Sequence, residues 1–132
     1  MPLICNVATE ELSVFEVFGN DYETPDGSCV RDYIHVCDVA DGHIKIMEHI
    51  DKIDGIKVYN LGRGKPISVF ELIQIFEKVT RAKIPYKISN RRSGDVAVSY
   101  ADISRIFSEL GWTAKKTIEE MCLDSYKAVT LQ

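Results

Sequence analysis

The chain has 132 residues, 45% hydrophobic and 27% charged, with a formal net charge of −4 and a pI near 5.4. That length allows one domain with a modest core and is short for an independent enzyme. The acidic balance argues against a general nucleic-acid or membrane surface, both of which select basic excess.

In chain order, residues 1 to 9 predict a short helix, with Leu3, Ile4 and Val7 at helical spacing. Val14 to Phe18 alternates and is rich in β-formers, so it predicts a strand. Thr24-Pro25-Asp26-Gly27 is a turn, and Cys29 to Val36 predicts a second strand. A helix is expected from Asp38 to about Ile50, followed by a strand over Ile56 to Leu61 that stops at Gly62-Arg63-Gly64-Lys65-Pro66. Ser68 and Glu71 form a capping box ahead of the stripe Val69, Leu72, Ile73, Phe76 and Val79. A short strand over Ile84 to Ile88, a loop over Arg91 to Asp95, and a helix from Ile103 to Leu110 come next. Asp102 is the expected N-cap of that helix, and Gly111 stands at its C′ position. Thr117 opens the last helix. The expected fold class is mixed α/β with short elements, not a complete doubly wound sheet.

Chemistry-bearing groups are few. Arg91-Arg92-Ser93-Gly94-Asp95 combines guanidinium groups that match phosphate oxygens, a glycine that permits close backbone approach, and an acid able to accept two ribose hydroxyls. A solvated basic loop is the plainer alternative. Arg31-Asp32 interrupts an apolar run; a phosphate-binding arginine and an internal salt bridge at a strand end both account for it. Phe18, at a strand end before Gly19, is either core or a stacking surface for a base. Gly62-Arg63-Gly64 lacks the third glycine of a dinucleotide fingerprint, so it reads as a strand-to-helix turn with room for nucleotide contact. His35 reads as a core histidine, and the three histidines show no metal-ligand spacing. No tyrosine has a lysine four residues on, and no nucleophilic triad is present, so no catalytic residue is assigned. Cys5, Cys29, Cys37 and Cys122 form no C-x-x-C pair, so reduced thiols in a cytoplasmic protein are expected and a metal site is not. Met1-Pro2-Leu3-Ile4-Cys5 does not read as a secretory leader, and no run of roughly 18 apolar residues is present to span a bilayer.

Taken together, Phe18-Gly19-Asn20-Asp21-Tyr22, Thr24-Pro25-Asp26-Gly27, Val30-Arg31-Asp32-Tyr33-Ile34-His35-Val36, Asp41-Gly42-His43, Tyr59-Asn60-Leu61-Gly62, Arg91-Arg92-Ser93-Gly94-Asp95, Tyr100-Ala101-Asp102 and Glu109-Leu110-Gly111-Trp112 resemble the UDP-glucose 4-epimerase family. They follow that family's order across nearly the whole chain, and the set is specific to the extended short-chain dehydrogenase/reductase superfamily. The resemblance covers only the C-terminal part of such an enzyme. It implies that residues 1–132 are a single UDP-sugar-binding domain without the Rossmann half, the NAD loop or the catalytic Ser, Tyr and Lys. Met1-Pro2 resembles an internal Met-Pro of the family, which implies a chain that begins after those elements.

Carried over by resemblance, Arg31 and Arg92 are diphosphate ligands and Asp95, within Ser93-Gly94-Asp95, is the ribose-binding acid. Phe18, with the backbone of Glu16 and Val17, forms the uracil-contacting strand, and Tyr33 and Val69 line the pocket. Two residues depart from the pattern. Glu16 stands where a small or neutral residue is usual and disfavours a polyanion, and Ser99 replaces a larger residue near the pocket. The implied parent reaction interconverts UDP-glucose and UDP-galactose through NAD, with this segment anchoring UDP. Expected for the chain alone are no turnover, no cofactor, weak UDP-sugar binding at most, and no nucleic-acid or membrane partner. Its exposed apolar faces, the Asp38–Ile50 helix and the Ile56–Leu61 strand, imply self-association as an alternative role, and the same segment of another nucleotide-sugar epimerase or dehydratase is the other alternative.

Overall fold

A computed structural model describes residues 1–131. Ten elements carry the fold: α1 (Pro2–Ala8), β1 (Phe15–Phe18), β2 (Val30–Arg31), α2 (Val36–Met47), β3 (Ile67–Ser68), α3 (Val69–Thr80), β4 (Tyr86–Ser89), β5 (Val98–Ser99), α4 (Ser104–Leu110) and α5 (Ile118–Thr130). A short 3-10 turn, Ile50–Lys52, follows α2. The strands form two small sheets. β1 pairs in parallel with β4, Glu16 opposite Lys87 and Phe18 opposite Ser89. β2 is the centre of the other sheet, antiparallel to β3 and parallel to β5.

The main core lies where α3, α5 and α1 meet β1. Phe76, Ile4, Val17 and Cys122 are its most buried members. α3 supplies Leu72, Ile73 and Phe76, the stripe its sequence predicts, and its capping box is present as expected. α5 is capped the same way, by Thr117 and Glu120. A smaller cluster gathers Ile106, Leu110 and Trp112 against Ile34, Ile46 and Leu61. Here Gly42 matters for its size: a Cβ would lie 2.7 Å from Leu61 and 3.3 Å from the Trp112 ring.

Several predicted boundaries move, each for a local reason. The strand expected over Cys29 to Val36 is paired only at Val30–Arg31, because β3 and β5 are themselves two residues long. Its tail becomes the N-terminus of α2, where His35 Nδ1 accepts the Cys37 N–H at 3.0 Å. Histidine is outside the usual capping set, so the helix starts earlier than the sequence signals. Asp38, predicted near that start, is instead buried in the first turn. Its carboxylate accepts the backbone N–H groups of Lys115 and Lys116, both at 3.0 Å.

The strand expected over Ile56 to Leu61 has no ladder partner among the described residues; Ile56 is 97% exposed and Val58 70%. β4 begins two residues later than Ile84, whose side chain is buried in the core. Asp102 lies one residue ahead of the α4 N-cap, its Oδ1 accepting the Ser104 N–H at 2.9 Å, and Gly111 closes α4 as expected. No helix among the described residues is long and apolar enough to cross a membrane.

Candidate functional site

β1, β2 and the 91–95 loop converge on one cleft. Its volume is about 180 Å³, and Glu16, Phe18, Arg31, Tyr33, Val69, Arg92 and Asp95 line it, with Leu3, Phe15 and Cys29. Seven of the ten residues expected from the sequence therefore meet in one place. Val17 is the outlier on β1: its side chain is 1% exposed and belongs to the core, so only its backbone faces this region. Ser93 and Gly94 are exposed at the loop tip and do not line the cleft. Gly94 has φ +88° with open space around it, so backbone conformation is what calls for glycine there.

Leu3, Phe15 and Cys29 were missed, although the strand period contains Cys29. Cys29, Arg31 and Tyr33 are two apart and share a face, while Val30 and Asp32 point away. Leu3 comes from α1 and carries no comparable signal.

The charged groups are tightly organised. Asp95 accepts from Arg92, Nε to Oδ2 at 2.9 Å and Nη2 to Oδ1 at 3.4 Å. Arg31 Nη2 lies 4.0 Å from the same Oδ1, while its Nη1 donates to the Val30 carbonyl at 2.8 Å. The Arg92 guanidinium also lies over the Phe18 ring, 4.3 Å from its centre. Glu16 is paired with Lys87 across β1 and β4 at 2.5 Å. Burial pushes the Tyr33 phenol above its ordinary value, outweighing the nearby Arg31 charge, so the ring enters the cleft as a neutral hydrogen-bonding group.

The two neighbouring arginines separate. Arg91 leaves the cleft: its Nε donates to Asp21 at 2.7 Å, its Nη2 to the Asp21 carbonyl at 2.6 Å, and it covers the Tyr22 ring at 4.0 Å. Arg92 alone of the pair is placed for a ligand. Arg31 and Asp32 do not pair with each other: Arg31 faces Asp95 across the cleft at 4.0 Å. Asp32 turns to the Gly62–Gly64 turn and accepts the N–H groups of Arg63 at 3.2 Å and Gly64 at 3.0 Å. Those two donors are thereby consumed and do not face a phosphate. His35 behaves as a satisfied buried histidine, with Nε2 3.3 Å from Asp124.

The sequence profile of the family described as GDP-mannose 4,6 dehydratase matches residues 1–125. The chain belongs to this family. Within it, the chain is 48% identical over 127 residues to the UDP-glucose 4-epimerase of Bacillus subtilis, a match covering 96% of this chain and 38% of that protein. The UDP-glucose 4-epimerase structure from Stenotrophomonas maltophila, with bound NAD and formylated UDP-arabinopyranose, superposes with a TM-score of 0.91 at 47% identity. That match covers 96% of this chain and 38% of the other. The enzyme from Bifidobacterium longum, in complex with NAD+ and UDP, gives 0.89 at 46% identity, covering 98% and 39%. The chain thus spans under two fifths of the length of the relatives it matches. The resemblance read from the motifs holds, as does the mixed α/β fold class of an extended short-chain dehydrogenase/reductase.

Proposed function

We propose that residues 1–132 form one UDP-sugar-binding domain of a UDP-glucose 4-epimerase, and that its cleft holds the UDP of UDP-glucose or UDP-galactose. One observation carries the reading: aromatic, basic and acidic side chains from three separate stretches meet around a single cleft. Arg31 and Arg92 flank one point and supply forked donors for a diphosphate. Asp95 accepts ribose hydroxyls, assisted by the Ser93-Gly94 backbone. Phe18 and the β1 backbone at Glu16 and Val17 take the uracil, while Tyr33 and Val69 close the side of the cleft.

At about 180 Å³ the cleft is smaller than the roughly 300–1,000 Å³ of sites that enclose a ligand. It is an open half-site, and binding to this chain is correspondingly weak. Anchoring UDP this way holds the nucleotide while the hexose is left free to turn, a use of affinity remote from the reacting carbon.

NAD does not fit the residues present. The glycine turn lacks a third glycine, and the N–H groups of Arg63 and Gly64 are bonded to Asp32. No hydride step is therefore assigned to this chain, and it turns over no substrate alone. Incubated with NAD and UDP-galactose, the purified chain forms no UDP-glucose; product above a mock preparation overturns the inactivity.

Calorimetry tests the clamp. UDP binds the chain, and Arg31→Ala weakens it by about tenfold or more, the worth of a lost charge-assisted hydrogen bond. Heat unchanged by that substitution rejects Arg31 as a phosphate ligand.

A second reading rests on the apolar side chains left in solvent: Val36, Ile44 and Met47 of α2 and Ile56 and Val58 of the unpaired segment. Through that face the chain associates with itself.

A further inference from the structure

We infer that Arg92 makes this cleft select phosphorylated nucleosides over free ones, by lying across the nucleoside half of the site until a phosphate draws it away. The inference rests on the UDP reading above and adds a discrimination to it.

Three contacts converge on one side chain. The Arg92 fork is spent on both Asp95 oxygens, and its planar face covers the Phe18 ring at 4.3 Å. Asp95 and Phe18 are the groups that a ribose and a base need. A neutral nucleoside has to break both contacts to reach them, and it offers the displaced guanidinium nothing in return. A diphosphate offers more negative charge than one carboxylate and the same forked geometry. Once it takes the Arg92 fork, Asp95 is released to accept hydroxyls and the Phe18 face is uncovered for stacking. Arg31 does not have to move far: its Nη2 is already 4.0 Å from Asp95, and its Nη1 stays on the Val30 carbonyl. Phosphate and nucleoside binding are thereby coupled through one residue, and the coupling is reciprocal.

The consequence is a substitution with opposite effects on two ligands. Arg92→Ala removes the cover from Phe18 and the partner from Asp95, so uridine binds tighter than to the unaltered chain. An exposed ion pair and a cation–π contact together set the gain at about threefold to tenfold. The same substitution removes a diphosphate ligand, so UDP binds about tenfold weaker or worse.

Titrations of the 15N-labelled chain, followed by amide shifts of the 15–19 and 91–95 segments, read both affinities even in the millimolar range. Arg92 is exposed, so the variant keeps its fold, and an unchanged melting temperature verifies this. Uridine tightened and UDP weakened supports the inference. Uridine unchanged, weakened or undetectable on Arg92→Ala, with UDP bound by the unaltered chain, overturns it and leaves the UDP clamp standing. UDP silent on the unaltered chain rejects the clamp itself.

Discussion

At the residue scale, acidic side chains divide into those that build the scaffold and those that face the cleft. Asp26 stitches the Thr24–Gly27 turn to α3: it accepts the Ser28 N–H at 2.9 Å and hydroxyl at 2.8 Å, and also the Ser68 hydroxyl. Burial pushes its carboxyl up, yet the hydrogen bonds from Ser68 and Ser28 together hold it below its ordinary value. Asp41 takes the Trp112 indole N–H at 3.0 Å, so the Asp-Gly and Gly-Trp motifs are two halves of one contact. Glu109 does comparable work at the surface. Lys57, Tyr59 and Arg105 all donate to it and lower its carboxyl from 4.5 to about 2, tying the exposed 56–60 segment to α4. Its folded value lies below its unfolded one, so the stability it adds is complete above pH 4.5 and fades as the pH falls toward 2. Solvent screening keeps the effect small. Melting curves of Glu109→Gln are therefore expected to fall slightly below those of the unaltered chain at pH 7 and to merge with them by about pH 2. A gap that persists in acid contradicts an ionic role for Glu109.

At the element scale, what can be read from sequence depends on whether the deciding interaction is local. α3 was legible because its capping box and apolar stripe both lie within thirteen residues, Ser68 to Thr80. The strands were not. Their pairing depends on β3 and β5, which are two residues long and leave no periodic trace. The start of α2 was hidden for a different reason, a histidine serving as cap. The cleft residues came from the family resemblance; strand period 2 on β2 explains why Arg31 and Tyr33 share a face, but it was not what picked them out. The division of labour between Arg91 and Arg92 came only through the family resemblance, since Asp21 and Tyr22, which decide it, lie about seventy residues away in the chain. Nor did the sequence foretell that Asp32 would spend the donors of the Gly62–Gly64 turn, a contact across 31 to 32 positions.

At the scale of the whole molecule, α2 and the segment after it keep several large apolar side chains in water. Val36 is 75% exposed, Met47 70% and Ile56 97%. The extended segment around Ile56 and Val58 also presents backbone donors and acceptors that pair with no strand among the described residues. Unpaired extended backbone with apolar side chains is a template for association. A net charge of −4 gives only modest repulsion against it. The chain is therefore expected to show an apparent molar mass that rises with concentration in light scattering. Placing charges on the segment should abolish this at little cost to the fold, because neither Ile56 nor Val58 belongs to a buried core cluster. The paired substitution Ile56→Asp and Val58→Asp then gives a monomer across the same concentrations, with UDP affinity unchanged because the cleft lies on other elements. An unaltered chain that stays monomeric throughout counts against association by this face. So does a doubly substituted chain that still assembles, which would move the contact to the apolar residues of α2.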